Sequence, residues 1–257
     1  MSAAPVAYEA NDGVARITLG RPDVLNALDT ELAAALADHA ETAAADPDVA
    51  LVVVRGAGRA FCSGMDRTAL AAGTIGEAFF RHWVRALNCL EDMPKVSAAV
   101  LHGYSLGGGL QLALACDVRL ATEDAVLGLG ATRHGIIPDG SVLRLARVVG
   151  LGRAKALTLL NDDVTAAEAR AMGLVNWVCP PDGVEPALAT LIAKVRGASP
   201  TANAHAKRLL HESFHRDPRA MIEDVLSAQR DCLASREVAE ANRAWAEGRP
   251  AVYPPRP

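Results

Sequence analysis

Residues 56–66, GAGRAFCSGMD, and residues 103–109, GYSLGGG, decide the reading of this chain. Each follows a short apolar run, VALVVV at 49–54 and VSAAVL at 96–101, with the length and composition of a strand interior. Each is followed by helix-forming sequence. Glycine lets main chain approach a ligand with no Cβ in the way. A loop that opens onto a helix start also leaves backbone N–H groups without partners. Two such loops facing one another therefore predict a pair of amide donors for a developing oxyanion.

Working outward, residues 14–19 (VARITL) predict a strand, and Arg21-Pro22 turns the chain toward Asn26, Ala27 and Leu28. Asp29 is placed to cap an alanine-rich helix that runs to Asp46 and stops before Pro47. Residues 75–92 read as a helix, with Phe79, Phe80, Trp83, Leu87 and Leu90 sharing a face. Core packing is the expected role of that stripe, and lining an acyl tunnel is the alternative. The second glycine loop leads into a helix to about Ala115, strands at 118–121 and 125–129, and a loop at 130–141 that turns at Pro138-Asp139-Gly140. A helix is predicted at 142–149. Thr165 and Glu168 form a capping box for a helix ending at Gly173, and 174–179 reads as a strand. Beyond the turn Pro180-Pro181-Asp182-Gly183 the sequence is almost wholly helical, at 184–198, 201–215, 219–233 and 237–247. Residues 1–198 are thus expected to form the core, and 199–257 a helical module that docks on a neighbouring subunit.

The chain of 257 residues is 51% hydrophobic and 22% charged, enough material for one large core. Its net charge of −4, with Lys and Arg dispersed, offers no electrostatic case for nucleic acid. The five cysteines are isolated, with no Cys-x-x-Cys pair and no secretory leader before them, so a cytoplasmic setting is expected. Charges or glycines interrupt every apolar run before it reaches the roughly 18 residues of a spanning helix, so no membrane association is expected.

Gly103-Tyr104-Ser105-Leu106-Gly107 matches the G-x-S-x-G elbow of serine hydrolases, after a strand and before a helix. A triad would draw on Asp139 and on His205 or His211. The plainer reading makes Ser105 a small residue in a loop whose amides matter more. His211-Glu212-Ser213-Phe214-His215 matches H-E-x-x-H, whose helical spacing can set two imidazoles on one zinc. A third ligand would have to be Glu237 or Glu240, and Lys207, Arg208 and Arg216 mark a solvated helix end instead. No metal site is expected. Cys62 has no histidine or cationic neighbour and reads as a small buried hydrophobe. His134 is expected to be exposed. Asp139 is the acid that stands out: Gly135-Ile136-Ile137-Pro138 gives it an apolar approach that would desolvate the carboxylate and raise its pKa. Ordinary turn chemistry explains an aspartate after proline equally well.

Assembled, these residues resemble the crotonase (enoyl-CoA hydratase/isomerase) superfamily over essentially the whole chain. The resemblance is carried by Asn26-Ala27-Leu28, by GRAFCSGMD at 58–66, by 103–109, by Ala115-Cys116-Asp117, by Gly135-Ile136-Ile137-Pro138, by ARAMGLV at 169–175 and by Arg249-Pro250. It implies an α/β fold, a spiral of ββα turns with a C-terminal helical trimerisation module, assembled as a homotrimer or a dimer of trimers. It implies an acyl-CoA thioester substrate and no metal or redox cofactor, coenzyme A entering only as part of the substrate. By motif position the oxyanion amides are those of Met65 and Gly108. Contacts to coenzyme A are implied for Asn26, Ala27, Leu28, Ala60, Ser63, Gly64, Met65, Asp66 and Gly108.

Departures from the family pattern bear on the reaction. Hydratases carry two glutamates that deliver water across a double bond, and those positions align here with Gln111 and Ala131. An amide cannot ionise and a methyl has no proton to give, so ordinary hydratase chemistry is expected to be impaired. Asp139 falls where several branches place one working carboxylate, and Gly-Ile-Ile-Pro-Asp is similar to the segment in ring-epoxide and enoyl-CoA isomerases of phenylacetate-type pathways. Aryl-CoA dehalogenases use an aspartate there as nucleophile, but their histidine and tryptophan helpers align with Val84 and Ala131. The stretch after Asp139 is also one residue shorter than in most relatives. The expectation is an acyl-CoA double-bond isomerase of the 3-enoyl to 2-enoyl type: Asp139 as base, Met65 and Gly108 as amide donors, Gln111 orienting substrate or carboxylate. The alternatives are a hydratase-like enzyme, an Asp139-nucleophile hydrolase or dehalogenase, the Ser105 hydrolase, and a non-catalytic acyl-CoA-binding protein.

Overall fold

The computed structural model describes residues 4–253. In chain order, β1 (Val6–Asn11), β2 (Val14–Leu19), α1 (Thr30–Ala45), β3 (Leu51–Gly56), α2 (Arg67–Ala71), α3 (Glu77–Asp92) and β4 (Val96–Leu101) come first. Then follow β5 (Tyr104–Leu106), α4 (Gly108–Ala115), β6 (Val118–Thr122), β7 (Val126–Gly128), α5 (Leu145–Val149), α6 (Leu151–Leu159), β8 (Val164–Thr165), α7 (Ala166–Ala171) and β9 (Trp177–Cys179). The helices α8 (Val184–Arg196), α9 (Pro200–Glu212), α10 (Ile222–Ala234) and α11 (Arg236–Glu247) complete the order.

The larger sheet has the order β1-β2-β3-β4-β6-β9, antiparallel at β1-β2 and parallel thereafter. Its central strands β3 and β4 are buried on both faces, and the period of two decides what each side chain meets. Leu51 and Val53 of β3, with Ala98 and Val100 of β4, pack under Val184 and Leu188 of α8. Their neighbours Val52, Val54, Ala99 and Leu101 point the other way, into the main core with α1 and α3. The smaller sheet, β5-β7-β8, packs Leu127 and Val164 into the main core, and β5 lies within the second glycine loop.

Several local signals act as the sequence predicts. The Asp29 side chain accepts the Leu32 N–H at 2.9 Å and starts α1, and Thr165 with Glu168 makes the capping box of α7. Phe79, Trp83, Leu87 and Leu90 form the buried stripe of α3, whereas Phe80 falls outside it and is exposed. Other boundaries move. β9 keeps only the last three residues of the predicted strand, and the helix predicted from residue 142 begins at Leu145. The delay has a cause: Ser141 and Val142 both donate their N–H groups to the Pro138 carbonyl, so the turn consumes the residues between. α2 follows the first glycine loop as expected, and β1 and α6 are further elements without a sequence expectation.

Among the C-terminal helices, α9 is tied to the core by a part-buried cation. Lys207 of α9 donates to the Asp117 carboxylate at 2.9 Å and to the carbonyls of Leu90 and Lys95 at 3.1 and 3.0 Å. Leu210, Phe214, Ile222, Leu226, Leu233 and Trp245 remain exposed on these helices and the turn after α9. No helix of the described residues is long and apolar enough to cross a membrane.

Candidate active site

The two glycine loops are zipped together. Cys62 N–H donates to Tyr104 O at 3.0 Å and Leu106 N–H to Cys62 O at 2.9 Å, while Gly107 N–H reaches Gly128 O of the neighbouring strand at 2.8 Å. Close approach is what the glycines permit. A Cβ on Gly109 would lie 2.4 Å from Cys62 O, and one on Gly64, whose φ is +95°, would lie 2.9 Å from Leu106 O.

This packing aims two amides. Leu28 N–H donates to Gly64 O at 2.8 Å and Asp66 N–H donates to Leu28 O at 2.8 Å, a parallel bridge. Neighbouring peptide groups of an extended chain alternate in direction, so the Met65 N–H between these two bonds projects away from Leu28. Gly108 is the first residue of α4, which has no side-chain cap. Its N–H is one of the donors a helix start leaves free, on the positive end of the helix dipole. Neither amide has a protein acceptor among the described residues.

Both residues line a cavity of about 680 Å³ together with Ala27, Leu28, Ser63, Gly64, Gln111, Ala131 and Asp139. Phe79 and Trp83 supply an apolar wall, their rings stacked with centroids 6.2 Å apart. The α3 stripe packs the core as expected, and its Phe79 and Trp83 also face the cavity. Asp139 is half-buried. Its pKa is raised above the ordinary aspartate value by burial, against the opposing pull of the Gly140 and Asp139 N–H groups and the Arg144 charge. Gln111, buried in α4, accepts the Gly140 N–H at 2.6 Å through Oε1. It therefore holds the turn that carries Asp139 instead of contacting the carboxylate.

Three residues expected at the site stand behind the wall. Asn26 is fully buried at φ +56° and spends its amide on the carbonyls of Ala57, Ala60 and Phe61, at 2.9, 2.8 and 3.2 Å, while its oxygen accepts the Arg21 N–H at 2.9 Å. Ala60 is buried in the same strap. Asp66 caps α2 through the Thr68 and Ala69 N–H groups and pairs with Arg21 at 3.1 Å. These interactions keep its carboxyl below the usual carboxylate range, the Ala69 N–H contributing most.

The motif-based alternatives do not assemble. Ser105 is completely buried in β5, and its hydroxyl has no partner among the described residues. His205 and His211 lie on α9, where His205 faces Asp231 at 3.6 Å and His211 borders a separate cavity beside Lys207 and Phe214. In the H-E-x-x-H stretch, Glu212 pairs with Arg208 and Arg216, and His215 meets Arg147 at 2.8 Å. Among the described residues no group of three histidine, cysteine or acidic side chains is placed to hold a metal. Burial pushes the Cys62 thiol up to about 12, so it is no nucleophile. Val84 is exposed and off the cavity.

Some participants carry no sequence signal. Asp163 lines the cavity beside Gly128, and Arg67, Arg133 and His134 line it as well, His134 being exposed as expected. Asp163 sits next to a second aspartate and before a capping box, a pattern that reads as an ordinary charged turn.

The fold is that of one family. Its model, described as enoyl-CoA hydratase/isomerase, matches residues 9–255, and the chain belongs to that family, within the crotonase superfamily. YngF of Bacillus subtilis, whose name leaves hydratase and isomerase open, is 35% identical over 248 residues, covering 95% of each chain. The 2,3-dehydroadipyl-CoA hydratase of Escherichia coli is 36% identical over 202 residues, covering 77% of this chain and 78% of its own. Among solved structures, the enoyl-CoA hydratase of Bacillus anthracis superposes with a TM-score of 0.90 at 29% identity, over 97% of this chain and 99% of that one.

Proposed function

We propose that this protein is an acyl-CoA double-bond isomerase that converts 3-enoyl to 2-enoyl thioesters. One observation carries the reading: the two free loop amides and Asp139 line the same cavity, while the neighbouring position 111 is a glutamine already bound to Gly140. Asp139 takes a proton from C2, and the electron pair moves onto the thioester oxygen. The resulting dienolate is stabilised by the Met65 and Gly108 N–H groups. Asp139 returns the proton at C4, moving the double bond from C3–C4 to C2–C3. Each oxyanion donor is worth roughly 3 kcal/mol of barrier, and the base roughly 10²- to 10⁴-fold in rate. Burial of Asp139 strengthens it as a base, and Phe79 with Trp83 gives the acyl chain an apolar wall.

Ala27, Leu28, Ser63 and Gly64 would meet the coenzyme A portion, with Asn26, Ala60 and Asp66 fixing the strap beneath them. The exposed apolar residues of α9 and α10 support a C-terminal module that buries them in a homotrimer or dimer of trimers, and five unpaired cysteines support a cytoplasmic setting.

A second reading is hydration of a 2-enoyl ester. Relatives named as hydratases support it, and so does Asp163, a second carboxylate on the cavity. Incubation with trans-3-hexenoyl-CoA separates the two. The isomerase reading expects the conjugated 2-enoyl ester to accumulate faster than any 3-hydroxyacyl ester. Rapid hydration of 2-hexenoyl-CoA with no turnover of the 3-enoyl ester would reverse the order.

A further inference from the structure

The Asp139 turn is gripped from two sides. Gln111 accepts the Gly140 N–H at 2.6 Å, and Arg144 Nη1 donates to the Gly140 carbonyl at 3.0 Å. Both polar groups of the residue after Asp139 are thus held by side chains. Arg144 is buried just before α5, and its Nη2 donates to Asn88 Oδ1 at 3.0 Å and pairs with the Glu91 carboxylate, both on α3. Its Nε is buried with no acceptor among the described residues. Burying a guanidinium is costly, and leaving one N–H unmet adds to the cost. What the pose secures is a link from α3 to the main chain beside the candidate base.

We propose that Arg144, clamped by Glu91 and Asn88, is a positioning residue that acts through Gly140 to fix the direction of the Asp139 carboxylate. A guanidinium suits the task because its planar fork presents separate nitrogens in fixed directions, Nη1 to the carbonyl and Nη2 to the α3 partners. The inference takes its reaction from the isomerase reading, but the grip on Asp139 is a property of the turn itself.

Two readouts test it. With trans-3-hexenoyl-CoA, Arg144→Met should lower kcat about 10²-fold with KM within about 3-fold, since a small misplacement of a reacting group costs that much. Loss of the cation should also move the acid limb of the pH profile upward. Arg144→Lys should lower kcat while the acid limb stays in place, because the charge is retained. The other charged or titrating groups on the cavity, Arg67, Arg133, His134 and Asp163, are unchanged in both variants. Carboxyl ¹³C NMR, with the Asp139 signal assigned by its loss in Asp139→Asn, reads the same grip without turnover. That signal should titrate higher in Arg144→Met than in the parent protein.

Parent-like kcat, acid limb and Asp139 titration in folded Arg144→Met would overturn the inference. Should Arg144→Met fail to fold, Arg144→Lys and Glu91→Gln carry the same test, and parent-like kcat in both would overturn it. Failure of the isomerase reading alone would look different: no turnover of the 3-enoyl ester by the parent protein, with the NMR dependence on Arg144 intact.

Discussion

Gln111 Oε1 and the Gly140 N–H lie 2.6 Å apart, so the one polar side chain on α4 is committed to the turn that presents Asp139. A carboxylate at position 111 would keep that bond and shorten it by charge assistance, but would add a second anion near Asp139. Asp139 works as a base only when ionised, and burial already lifts its pKa above the ordinary aspartate value. The kcat/KM profile of the parent protein should therefore fall on acidification with a midpoint above that value. In Gln111→Glu the midpoint should rise further, with isomerisation retained at alkaline pH and slow hydration gained. Loss of isomerisation at every pH would contradict this.

Gly64 separates the two loops. With φ at +95° and a Cβ that would press on Leu106 O at 2.9 Å and Gly108 N at 3.3 Å, Gly64→Ala must push the Met65 and Gly108 amides apart. Backbone strain of about 1–3 kcal/mol is expected in thermal unfolding, with a kcat loss of roughly 10²- to 10³-fold, the worth of one oxyanion donor. Unchanged kcat in a protein of lowered stability would show that these amides do not bear the charge.

Asn26→Ala tests the strap. The side chain satisfies three carbonyls, two of them in buried bonds, and one N–H, all of which would lose their partner. The expected cost is about 3 kcal/mol in denaturant unfolding, below the sum of the separate bonds because the loop can relax. A cost under about 1 kcal/mol would mean that the strap holds without it.

Ser105→Ala should be almost silent. The hydroxyl is buried with no partner among the described residues, so its removal should cost less than about 1 kcal/mol or gain slightly. Turnover should match the parent protein, and a fluorophosphonate probe should leave Ser105 unlabelled. Labelling with loss of turnover would restore the serine-hydrolase alternative.

Much of the architecture is local in origin and hence legible in the sequence. The caps at Asp29 and Thr165 and the α3 stripe depend on neighbours within a few residues, and the strands at 14–19 and 96–101 are marked by their own apolar runs although their pairing partners are distant. The two glycine loops are legible as loops, yet the bonds from Cys62 to Tyr104 and Leu106 that zip them are long-range. The same is true of Asn26, whose three carbonyl partners lie more than thirty residues away. Arg144 reads as one more cation in a helix, because the pull of the Pro138 carbonyl on Ser141 and Val142, which delays α5, leaves no mark in the composition. Asp163 reaches the cavity only through the packing of β8 against β7.

Isotope exchange at the two carbons that trade the proton tests the central claim most directly. In D₂O, trans-3-hexenoyl-CoA with the parent protein should acquire deuterium at C2 and C4, and Asp139→Asn should slow both exchanges roughly 10²- to 10⁴-fold while still binding the ester. Exchange at C2 and C4 undiminished in Asp139→Asn would contradict the account.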